Sequence, residues 1–108
     1  MDLIPPEAMV GLANVLTFGA NKYSARNWEE GMDWGRVYGA LQRHLNAWWG
    51  GELIDPESGL SHLDHALFGV AALKAFESRG VGEDTRYVPP TEGQYTLVDM
   101  SIQKNLVF

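Results

Sequence analysis

Residues 34–79 read WGRVYGALQRHLNAWWGGELIDPESGLSHLDHALFGVAALKAFESR, and this stretch decides the fold. Val37, Leu41, His44 and Trp48 recur at the helical period behind Asp33, a good N-cap, and Gly50-Gly51 supplies a stop, so a helix is predicted from Trp34 to about Gly50. Asp55-Pro56 is a second start signal, Asp as N-cap and Pro at the first helical position, and predicts another helix running to about Arg79 before Gly80. Leu60, Leu63, Leu67, Val70 and Ala71 form its main stripe. Ala66, Gly69, Ala72, Leu73 and Phe76 make the neighbouring face apolar and small as well, so this helix is expected to be buried on more than one side, as the centre of a bundle. The short connection makes the two helices antiparallel.

Working outward, Pro5-Pro6-Glu7 opens a helix to about Phe18, with Met9, Leu12, Ala13 and Leu16 as its buried stripe. Gly19 to Asp33 lacks apolar periodicity and is expected to be an ordered loop anchored by Tyr23 and Trp28. From Val81 onward, Pro89-Pro90, several glycines and the β-prone run Tyr95-Thr96-Leu97-Val98 predict an extended C-terminal arm. The expected architecture is all-α: one small helical bundle over residues 1–80, with residues 81–108 as an arm of the same domain. Three helices bury little, so completion as a homo-oligomer through the small-residue face of the third helix is expected.

Composition narrows the function. With 45% hydrophobic and 20% charged residues the chain is an ordinary packed globule. Eight basic against 14 acidic residues, a net charge of −6, argue against nucleic-acid binding but leave room for a small phosphorylated ligand, which needs only a few local cations. The absence of cysteine removes disulfides, thiolate zinc sites and a cysteine nucleophile, and cytoplasmic residence is the simplest reading. Neither a signal segment nor a membrane-spanning apolar stretch is present, so no membrane association is expected.

All three histidines fall on the hairpin. His44 and His62 are equidistant from its turn near Leu53, and His62 and His65 form an i, i+3 pair, so three imidazoles can converge on one ion. An inward histidine such as His44 is, taken alone, more often a satisfied core residue. Glu52, Asp55, Glu57 and Asp64 surround the same hairpin and can complete an oxygen-rich shell or position water. Each has a plainer role: Asp55 as a cap, Glu57 as a first-turn acid, Glu52 and Asp64 as solvated charges. Arg36 and Arg43 share a face, and Lys22 and Arg26 precede them in the loop, so the four can grip a polyphosphate or merely cover apolar neighbours with their stems. Trp28, Trp34, Trp48 and Trp49 can stack on a base or fill the core. With no Walker loop, nucleophile elbow or His-Glu-x-x-His helix, the expected nucleophile is water.

The order Ile4-Pro5-Pro6-Glu7-Ala8, Phe18-Gly19-Ala20-Asn21-Lys22-Tyr23, Arg26-Asn27-Trp28, Arg43-His44, Gly51-Glu52, Asp55-Pro56-Glu57-Ser58-Gly59 and His62-Leu63-Asp64-His65-Ala66 resembles the phage dATP/dGTP diphosphohydrolases of the MazZ type. The resemblance spans roughly the first three quarters of the chain. It implies an all-α, MazG-like nucleotide pyrophosphohydrolase that cleaves a purine deoxynucleoside triphosphate to monophosphate and pyrophosphate with a divalent metal, as in phage 2-aminoadenine nucleotide metabolism. MazG-type enzymes carry Glu-x-x-Glu and Glu-x-x-Asp on successive helices, whereas the corresponding places here read His44-Leu45-Asn46-Ala47 and His62-Leu63-Asp64-His65. Imidazole donors would favour Mn, Co or Zn over Mg.

The sequence therefore leads to a metal-dependent purine deoxynucleotide pyrophosphohydrolase. In it His44, His62, His65 and Glu57 hold the ion, Glu52 or Glu57 is the base, and Lys22, Arg26, Trp28, Arg36 and Arg43 bind substrate. The alternative from another class is a non-catalytic helical interaction protein with structural histidines or a structural metal site.

Overall fold

The computed structural model describes residues 3–88 and is built from three α-helices. These are α1 (Pro6–Lys22), α2 (Trp34–Trp49) and α3 (His62–Arg79), with a 3-10 turn (Asn27–Glu30) between the first two. No strand occurs among the described residues. Helix α3 is the central element, packed on one side by α2 and on another by α1.

Helix α2 forms where the cap and period place it. Asp33 Oδ1 accepts hydrogen bonds from the backbone N–H groups of Gly35 (2.8 Å) and Arg36 (3.3 Å), and Val37 and Leu41 are buried. The same oxygen accepts from the Thr85 hydroxyl at 2.7 Å, so the cap also fastens the segment after α3. Trp34 completes that junction, its indole N–H donating to the Val81 carbonyl at 3.0 Å and its backbone N–H to the Glu83 carbonyl at 2.9 Å. Asp33→Ala is expected to lower stability more than the loss of a simple N-cap, because the helix cap and the tie to Thr85 go at once. Urea unfolding of the variant checks it.

Four expectations are corrected. Helix α1 does not end near Phe18 but runs one turn further to Lys22, because Gly19 keeps helical backbone there. Its buried line is Gly11 and Val15, while Met9 and Ala13 are exposed, a rotation imposed by the close approach of α3. A Cβ on Gly11 would collide with the Asp64 carboxylate, so glycine here lets that carboxylate rest against α1, and a larger residue would displace the Asp64 side chain.

The third helix begins at His62, not at Asp55-Pro56. Gly59 has a φ of 74°, which breaks any helix entering from Pro56, and Ser61 becomes the N-cap, accepting from the Leu63 N–H at 3.1 Å. Asp55 instead closes a turn, its carboxylate accepting from the Glu57 N–H (3.1 Å) and the Ser58 hydroxyl (3.2 Å).

The faces of α3 are also exchanged relative to expectation. The small-residue face, Ala66, Gly69 and Ala72 with Phe76, is the buried one, while Leu63 and Val70 of the predicted main stripe are exposed. A Cβ on Gly69 would lie 3.2 Å from Leu41, so α2 already occupies the surface expected to mediate self-association. The core closes around Val37, Ala72 and Phe76, with Trp28, Trp34, Phe68, Leu73 and Val81 packed on it. Trp28 thus anchors the segment before α2 as expected, whereas Tyr23 is exposed. Of the predicted C-terminal arm, residues 81–88 are non-helical, and 89–108 lie outside the described residues.

Candidate active site

The hairpin brings all three histidines together. His44 on α2 and His62 on α3 approach Nδ1 to Nδ1 at 2.9 Å, and the His65 ring stacks on His44 with centroids 4.5 Å apart and planes 9° from parallel. His62 is buried, and its Nε2 meets Glu52 Oε1 at 2.7 Å. At the other side His65 Nε2 lies 2.6 Å from the Ser58 hydroxyl and 3.5 Å from Asp55 Oδ2. The turn that sequence reading assigned to a helix therefore delivers Asp55 and Ser58 to the cluster. Ser58 was not anticipated, because its position follows from the turn made possible by Gly59.

Burial, followed by repulsion from His65, makes His44 harder to protonate than an ordinary histidine. Burial does the same to His65 and outweighs the attraction of Asp55. Burial opposes ionisation of Asp55, yet the Glu57 N–H, the Ser58 hydroxyl and the nearby imidazoles prevail and hold its carboxyl below the usual range. A histidine whose folded-state value lies below 6.5 takes up protons preferentially in the unfolded chain. Stability is thus complete above that value and is lost as pH falls below it. Thermal midpoints measured in EDTA are expected to decline between pH 7.5 and 5.5, and to decline less in His44→Asn.

Neutral imidazoles beside an ionised carboxylate are the donor chemistry of a borderline divalent ion. As placed, these side chains bond to one another, and among the described residues no three His, Asp or Glu groups are gathered as an ion would require.

Adjoining the cluster, a cavity of about 600 Å³ opens between α1, the segment 22–32 and α3. His65 belongs to its wall and touches Phe18 edge to face, with centroids 6.4 Å apart. Lys22, Arg26 and Trp28 also line it, so three of the five residues expected to bind substrate share one cavity with a histidine. Arg36 and Arg43 do not line it and are exposed. Lys22 Nζ stands 5.4 Å from the Tyr23 ring centroid and 3.9 Å from Glu57 Oε1. Glu57 is largely exposed and forms its ion pair with Lys22 rather than with a histidine. Asp64 projects toward Gly11 on α1 instead of completing the histidine cluster. Arg26 has a φ of 62°, the one non-glycine residue in the left-handed region among those described, and it sits in the cavity wall.

A family model, dATP/dGTP diphosphohydrolase, N-terminal, matches residues 1–86. The chain belongs to that family. The match takes in the whole hairpin, the cavity wall and the Asp33–Thr85 junction. No curated protein and no solved structure matches the chain significantly. Within the diphosphohydrolase family's span, the histidine cluster and the cavity are adjacent and share His65, which places a candidate reaction centre at the wall of a candidate binding site. Among the described residues no helix is long and apolar enough to cross a membrane.

Proposed function

We propose that this protein hydrolyses a purine deoxynucleoside triphosphate between its α and β phosphates, releasing the monophosphate and pyrophosphate, as in phage 2-aminoadenine nucleotide metabolism. The observation that carries the proposal is the sharing of His65 between a polar three-histidine cluster and an aromatic-walled cavity, in a chain of the diphosphohydrolase family. The nucleoside occupies the cavity and the phosphates run toward His65, past Lys22 at the rim. Arg26 lines the same cavity, where it pairs with Glu29, and Arg36 and Arg43 lie outside it.

A divalent ion, Mn, Co, Mg or Zn, would be held by His44, His62 and His65 with Asp55 or Glu57, and when bound it supplies charge neutralisation and acidifies water. Glu52 and Glu57 remain the candidate bases. Glu52 is already committed to His62 at 2.7 Å, so its first role is to hold that imidazole's orientation and accept its proton. Glu57, exposed beside Lys22, is free to turn toward water at the mouth. Aromatic residues around the nucleoside exclude bulk water from the bond being broken.

The test is competition among dGTP, dATP, dCTP and dTTP with Mn or Co, read by nucleotide chromatography. Purine nucleotides are expected to disappear first. Equal turnover of all four contradicts purine selection, and no turnover favours a non-catalytic helical interaction protein with structural histidines. Self-association belongs to the same reading, now through the exposed Leu63 and Val70 side of α3, and sedimentation measures it.

A further inference from the structure

The cavity is lined by one acid, Glu29, at the 3-10 turn Asn27–Glu30. An acid is out of place in a site for a polyphosphate unless it faces the uncharged end of the ligand. Glu29 does stand away from the histidines. It is tied to Arg79, the last residue of α3, whereas His65 lies in the first turn of the same helix. A nucleotide with its phosphates at His65 therefore extends its base toward Glu29.

The carboxylate is held in a defined direction. Arg79 Nη1 donates to Oε1 at 2.9 Å and Arg26 Nη1 to Oε2 at 3.1 Å, leaving each oxygen a further lone pair. The hydrogen bond from Arg79, reinforced by Arg26, keeps the carboxyl below its ordinary value despite the cost of burial, so it is an acceptor only. Trp28 and Phe68, packed edge to face at 5.8 Å, form the wall beside it.

We infer that Glu29 reads the base edge and selects guanine over adenine. Guanine presents two parallel donors, N1–H and the 2-amino group, which match the two oxygens of a carboxylate. Adenine offers an unprotonated N1 at the same position, and its lone pair opposes the carboxylate. The inference rests on the nucleotide reading above and adds to it the residue that sets base preference.

Calorimetric titration of the full chain with dGMP, dAMP and dIMP tests it without requiring turnover. The parent is expected to bind dGMP about tenfold or more tightly than dAMP, since a site built to pair with donors rejects the base that lacks them, with dIMP between because it has N1–H but no 2-amino group. Glu29→Gln keeps an acceptor for Arg79 but offers a mixed donor and acceptor edge, which suits adenine, so the preference should collapse or reverse. Arg79→Met removes the tie to α3 yet keeps the carboxylate, and should retain the preference for dGMP. Equal affinities in the parent, a preference unchanged in Glu29→Gln, or one lost only in Arg79→Met overturns the inference while leaving the nucleotide reading standing. Failure of all three nucleotides to bind overturns both.

Discussion

His65→Ala is expected to lower nucleotide hydrolysis by about a hundredfold or more while leaving the helices intact, as loss of a group at the reacting centre does. His65 is the one histidine that both stacks on His44 and lines the cavity, so its removal disconnects the cluster from the bound nucleotide. Two outcomes separate its roles. If the imidazole is a ligand, excess Mn or Co raises the thermal midpoint of the parent, because binding to the native state alone adds to apparent stability, and the variant loses that rise. If it is only packing against Phe18 and Ser58, alanine lowers stability by about 1–3 kcal/mol irrespective of added metal, and activity follows the folded fraction. Circular dichroism, activity and melts with and without metal decide between them.

Phe76→Ala is expected to have the largest effect on stability. Phe76 is fully buried, and removing a buried aromatic ring costs about 3–5 kcal/mol in lost transfer energy and cavity formation. Against a total of about 5–15 kcal/mol for a small domain, that is a large share. The damage should reach the cavity, since Trp28 packs tilted on Phe76 with centroids 6.2 Å apart and also forms part of the cavity wall. Phe76→Leu should cost less and retain activity with a raised KM. Urea unfolding measures the first effect and nucleotide titration the second. A cost under about 1 kcal/mol for alanine would show that the core does not depend on this ring.

The sequence was most legible where a local signal and a long-range consequence agreed. Asp33 caps α2, Val37 and Leu41 point inward, and the equal spacing of His44 and His62 from the turn near Leu53 predicts their meeting. It was misleading where two local signals competed. Asp55-Pro56 has the chemistry of a helix start, but Gly59 and Ser61 form a second, later start, and the chain uses the later one. On α3 both faces are apolar, so hydrophobicity alone could not say which is covered. Close packing chose the smaller face, where Gly69 lets Leu41 approach. The extent of the cavity was least accessible to sequence, because it is assembled from the last turns of α1, the segment before α2 and α3. Lys22, Arg26 and Trp28 were identifiable as candidates, whereas the direction of the Glu29 carboxylate is set by two arginine partners that only the folded chain brings to it.

The most direct test of the central claim is to identify the products formed from dGTP labelled at the γ phosphate by the purified protein with Mn, Co or Mg. Attack between the α and β phosphates gives dGMP and labelled pyrophosphate, loss of activity in EDTA, and a marked fall in His65→Ala. Labelled orthophosphate with dGDP, intact triphosphate with deoxyguanosine, or turnover indifferent to both EDTA and His65 would contradict it.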